Sequence, residues 1–114
     1  MAPKTHLFRL IICSIVLVSA SLELSDDGWH IIHNPNDPKL APTVKFAVAE
    51  HNKQANKHLE LVTVLKAESQ VVEGMEYRFT LSAKDGGGAV GHYVAVVWEK
   101  AWEHFRKLIS FERL

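Results

Sequence analysis

The sequence predicts an α+β domain: one α-helix packed across an antiparallel four- to five-stranded β-sheet. Three observations carry this. Between residues 44 and 59 the apolar positions recur at helical spacing, with Val44, Ala47, Val48, His51, Ala55 and Leu59 forming one stripe. From residue 59 onward the period changes from helical to two. The period-two runs are separated by short connections at Gln70–Gly74, Asp85–Gly91 and Glu99–Trp102, so successive strands fold back on one another.

Each element follows from its residues. Trp29-His30-Ile31-Ile32 reads as a short first strand. Asn34-Pro35-Asn36-Asp37-Pro38 is a turn, because each proline restricts itself and the residue before it. The helix begins at about Lys39 or Pro42 and runs to Lys57, with Lys45, Glu50, Lys53, Gln54 and Lys57 facing water and Phe46 to Val48 in the core. In the second strand Leu59, Leu61, Thr63, Leu65 and Ala67 alternate with Glu60, Val62, Val64, Lys66 and Glu68. In the third, Tyr77, Phe79, Leu81 and Ala83 alternate with Glu76, Arg78, Thr80, Ser82 and Lys84, which predicts one buried and one wet face. His92–Trp98 is the next β run, and His104–Glu112 the last, with Phe105, Ile109 and Phe111 on one face.

Residues 1–20 read as an address. Lys4 and Arg9 make a basic n-region, Leu10–Val18 is a short apolar h-region, and Val18-Ser19-Ala20 offers small or apolar residues at a cleavage point. The stretch is too short to span a bilayer, so a secretory signal is expected, with extracellular or vacuolar delivery and no membrane association of the mature form. The remaining residues, 21–114, suit a single small domain, with 21–28 as a flexible N-terminal strip. Removing Lys4 and Arg9 from 13 basic residues leaves 11 against 13 acidic ones, a formal −2. No basic patch tracks a phosphate backbone, so nucleic-acid binding is disfavoured. The only cysteine, Cys13, leaves with the signal; neither a disulfide nor a thiol nucleophile remains. None of the four asparagines is followed two positions on by Ser or Thr, so no N-glycosylation is expected.

Catalytic and metal motifs are weak. Gly86–Gly91 formally fits Gly-x-Gly-x-x-Gly, but a nucleotide fingerprint needs a helix next, and His92–Trp98 reads as a strand. His51 and His58 lack further ligands in any metal spacing, and no nucleophile elbow is present. No cofactor and no enzymatic activity are expected.

The chain's most informative stretch is Gln70-Val71-Val72-Glu73-Gly74, which fits Gln-x-Val-x-Gly between two strands. An apolar tip closed by a glycine turns tightly and invites burial in a partner. Trp102 follows polar turn residues and is expected in an exposed loop, whereas Trp98 lies inside a β run and reads as packing.

Taken together, the mature chain resembles the cystatins, and most of all the plant cystatins. Beside the Gln70–Gly74 loop, Lys45-Phe46-Ala47-Val48-Ala49-Glu50-His51-Asn52 matches the core of the plant helix signature, with Thr43-Val44 in place of its usual Leu-Ala. Trp102 matches the tryptophan of the second hairpin, where Ala101 replaces the usual proline, and Gly28 matches the N-terminal glycine. The resemblance implies reversible, tight inhibition of papain-like cysteine proteases and a place in plant defence. Gly28, Gln70, Val71, Val72, Glu73, Gly74, Ala101 and Trp102 would then touch the protease, as an N-terminal strip and two hairpin tips entering its cleft. Asp26-Asp27 stands where an apolar residue would suit the cleft, and burying an unpaired carboxylate is costly. Those departures motivate an alternative, a cystatin-fold binding or storage protein without protease inhibition. A monomer is expected, with a domain-swapped dimer as the alternative if the first hairpin opens.

Overall fold

In the computed structural model, which describes residues 28–114, the chain runs β1 (His30–Ile32), α1 (Ala41–Ala55), β2 (Glu60–Val72), β3 (Gly74–Lys84), β4 (Val90–Lys100), a 3₁₀ turn (Ala101–Glu103) and β5 (Phe105–Arg113). The expected signal segment and residues 21–27 of the strip lie outside the described residues. The five strands form one antiparallel sheet in the order β1-β2-β3-β4-β5, with α1 inserted between β1 and β2.

Pro42 sits in the first turn of α1, where its missing N–H has no partner to lose. At the other end Asn56 takes the left-handed conformation, φ 54°, ending the helix two residues before the expected Lys57. Asn52 then fastens the helix to the sheet: its Nδ2 donates to the Leu59 carbonyl and its Oδ1 accepts from the Leu59 N–H, both at 2.9 Å. Val44, Ala47 and Val48 are buried against Phe79, Leu81, Ala95 and Val97 of the central strands. Each of the large side chains so removed from water contributes roughly 1.5–3 kcal/mol.

Two expected faces are corrected by β-bulges. The β2–β3 register shifts between Leu61 and Thr63 and again between Val64 and Lys66. Val64 is therefore buried, and Leu65, expected inside, stands 51% exposed. An extra residue on one strand reverses the side-chain alternation beyond it. Asn36 holds this bulge across 28 positions of sequence, donating to the Val64 carbonyl at 2.9 Å and accepting from its N–H at 3.1 Å. The β4–β5 register shifts between Val96 and Val97, which turns Leu108 toward the core and leaves Ile109 exposed. Ala55, expected on the helix's apolar stripe, is also exposed, and Phe46 is only half-buried at the rim of the core.

Candidate functional site

The β2–β3 hairpin is tighter than a five-residue loop. Gln70 pairs with Glu76, Val71 with Met75 and Val72 with Gly74, so Glu73 alone forms the apex. The Gln70 amide donates to the Glu76 carboxylate at 2.7 Å across the ladder, so that side chain braces the hairpin. Val71 is 79% exposed and Val72 half as much at 41%. Gly74 has φ +90°, which favours glycine. A Cβ there would stand 2.4 Å from the Glu99 carbonyl oxygen and 2.8 Å from Lys100 Cγ. The first tip thus rests directly on the end of β4.

The second tip follows at once. β4 runs to Lys100, two residues further than its apolar run suggests, and the 3₁₀ turn Ala101-Trp102-Glu103 leads through His104, φ 52°, into β5. Trp102 is 62% exposed, as expected of a loop position, and its indole N–H donates only to Glu103 beside it, at 3.3 Å.

The strip joins from the other side. His30 pairs with Ser69 in an antiparallel register, so the chain preceding β1 runs toward the first tip and Gly28 lies at the same end of the sheet. Trp29 is held by the Arg78 guanidinium, 4.4 Å from its ring centroid. Arg78 in turn donates two hydrogen bonds to Glu68, at 2.7 and 2.9 Å. This guanidinium keeps the buried Glu68 carboxyl below its ordinary value, against the opposing effect of burial.

All eight residues named from the sequence therefore fall at one end of the molecule. Sequence reasoning missed Trp98 and Lys100. Trp98 was expected simply to pack, and it does so edge to face on Phe105, but its indole N–H also donates to the Glu73 carbonyl at 2.7 Å, reaching from β4 to the apex of the first tip. The signal for Lys100 was its place two residues beyond Trp98 on the same strand face.

A concave space of about 560 Å³ opens beneath the second tip, lined by Phe46, Glu99, Ala101, His104, Phe105 and Arg106, with Glu99 and Arg106 ion-paired across it. Among the described residues there is no group of three His, Cys, Asp or Glu able to hold a metal, and no helix long and apolar enough to cross a membrane.

A five-stranded meander wrapped on one helix, with a Gln-x-Val-x-Gly hairpin beside a Trp-bearing turn, has clear counterparts. Over 98 residues the chain is 44% identical to cysteine proteinase inhibitor 1 of Actinidia chinensis var. chinensis, covering 86% of this chain and 84% of that protein. Over 107 residues it is 41% identical to cysteine proteinase inhibitor 5 of Arabidopsis thaliana, covering 90% and 88%. The chain belongs to the plant cystatins. A family model described as SQAPI, aspartic acid proteinase inhibitor, also matches residues 32–114 of this cystatin. Among solved structures, the salivary cystatin of the soft tick Ornithodoros moubata superposes with a TM-score of 0.65 at 21% identity, covering 76% of this chain and 96% of that one. The squash aspartic acid proteinase inhibitor superposes with a TM-score of 0.55 at 31% identity, covering 75% and 90%. The relatives of this cystatin are thus proteinase inhibitors and not enzymes.

Proposed function

We propose that this cystatin is a reversible, tight-binding inhibitor of papain-like cysteine proteases, acting by occlusion. Gly28, the Val71-Val72 tip and the Ala101-Trp102 tip enter the cleft together and cover the catalytic groups without offering a carbonyl for attack. The observation that carries this reading is that two apolar tips, Val71-Val72 and Trp102, stand exposed side by side at one end of the sheet, the first resting on the strand that leads into the second. A target cleft covering Val71, Val72 and Trp102 removes roughly 300 Å² from water, about 8 kcal/mol at 25 cal/mol per Å². Association costs about 4–15 kcal/mol, so these three side chains alone do not give tight binding. Backbone contacts from Glu73 and Gly74 and from the strip around Gly28 supply the rest. Residues 1–20 serve as an export signal in this reading, and the protein meets its protease outside the cytosol.

A second reading is inhibition of an aspartic proteinase, favoured by the family-model match and by the 31% identity to the squash inhibitor. Steady-state inhibition of papain and of pepsin by the purified protein, with Gly74→Glu alongside, separates the two. Sub-micromolar inhibition of papain, lost in the variant, is the expected result. Inhibition of pepsin alone would replace the first reading with the second.

A further inference from the structure

Lys100 stands between the two tips. Its side chain is only 14% exposed, although it carries a charge at the end of a strand. Its ammonium lies 3.8 Å from a carboxylate oxygen of Glu73 on the first tip and 3.6 Å from one of Glu103 on the second. It also lies over two rings, 4.7 Å from the centroid of Trp98 and 5.1 Å from that of Phe105. Those rings meet edge to face at 5.3 Å. Trp98 closes the arrangement with its hydrogen bond to the Glu73 carbonyl. One cation and one indole on β4 therefore touch both hairpins, and the aromatic walls limit where the ammonium can go.

We propose that Lys100 and Trp98 are positioning residues that clasp the two tips into a single rigid unit, so that Val71-Val72 and Trp102 reach the protease at a fixed separation; this rests on the inhibitory reading above. Without the clasp no side chain ties the two tips together, and the first keeps only its backbone contact with β4 at Gly74 and Met75. Ordering the two independently then costs free energy at the moment of binding. The Glu73 and Glu103 carboxylates are largely in water, so each ion pair contributes little to fold stability, and the loss falls mainly on binding.

The test uses the full chain and three variants: Lys100→Met, which keeps the aliphatic packing and removes the charge; Lys100→Arg, which keeps the charge over the rings; and Trp98→Phe, which keeps a ring and removes the indole N–H. Papain inhibition kinetics, thermal melting and amide exchange at residues 71–74 and 101–104 of the free protein are measured together. Lys100→Met and Trp98→Phe are expected to raise Ki about tenfold, mainly through faster dissociation. Lys100→Arg should stay within about twofold of the parent. In Lys100→Met, exchange should quicken in both tips while the melting temperature holds. Unchanged Ki in Lys100→Met, or an equal loss in Lys100→Arg, overturns the clasp and leaves the inhibitory reading standing. If the parent itself fails to inhibit papain, that reading falls, and the exchange data alone decide: faster exchange in both tips sustains the clasp, and unchanged exchange refutes it.

Discussion

Replacing Gly74 by alanine adds one methyl group at the point where the first tip rests on β4. That methyl would lie 2.4 Å from the Glu99 carbonyl oxygen, whereas ordinary contact begins at 3.4 Å, so the tip must move by the difference, 1.0 Å. The obstacle is backbone paired on both sides, with Met75 of β3 and Arg106 of β5, and it cannot swing aside as a flexible side chain does. The backbone at φ +90° adds its own penalty, on the order of 1–3 kcal/mol for a residue with a Cβ. Displacing Val72 and Glu73 by about 1 Å also breaks the Trp98–Glu73 bond, worth about 1 kcal/mol. The total, about 2–4 kcal/mol, is shared between folding and binding. Each 1.4 kcal/mol that falls on binding is about tenfold in Ki, so we expect Ki for papain to rise about 10- to 100-fold. The remainder lowers the melting temperature by about 4–8 °C per kcal/mol in a domain of this size. Inhibition titrations and thermal unfolding of the same preparations read both shares. A Gly74→Ala protein that inhibits and melts like the parent would refute both the contact with β4 and its importance for the tip.

Trp102→Ala should weaken inhibition by roughly 30-fold or more, as a lost hot-spot anchor does, with the melting temperature unchanged because the ring is largely in water. Asn52→Ala removes two 2.9 Å hydrogen bonds to Leu59 and should cost about 2 kcal/mol in a denaturant titration, with little change in Ki. Glu68 has its folded pKa depressed from 4.5 by Arg78, so its stabilisation is present above that value and lost as pH falls through the folded one; the stability gap between parent and Glu68→Gln should be open at neutral pH and shrink in acid. His51 stacks on Phe111 at 4.0 Å, and burial, then Lys57, lowers its pKa from 6.5. The unfolded chain therefore takes up that proton first, stability falls as pH drops below 6.5, and His51→Phe should flatten the melting-temperature profile there.

The sequence made the architecture legible because its periods are clean where they matter. Phe79, Leu81 and Ala83 alternate without interruption and are all fully buried, and Val44, Ala47 and Val48 form the helix's inner face as their spacing requires. The bulges were not legible. Along Leu61-Val62-Thr63-Val64-Leu65 nearly every residue is apolar, so a reversal of the two faces leaves no trace in the pattern. What decides it is Asn36, whose amide reaches Val64 from a distant turn. The candidate site was legible at its exposed residues, Val71, Val72 and Trp102. Trp98 and Lys100 stayed hidden because their importance lies in spanning two hairpins, a property of register and not of residue type.

The separation between the tips and the core also bears on how such a protein changes over generations. Phe79, Leu81 and Val97 are packed with Val44 of the helix, whereas Val71, Val72 and Trp102 stand exposed at the tips and contribute little to that packing. Most substitutions cost stability through the core, and surface positions are nearly neutral. A lineage can therefore try new side chains at its tips, following a protease whose cleft is itself changing, while drawing almost nothing from the stability that keeps the domain folded.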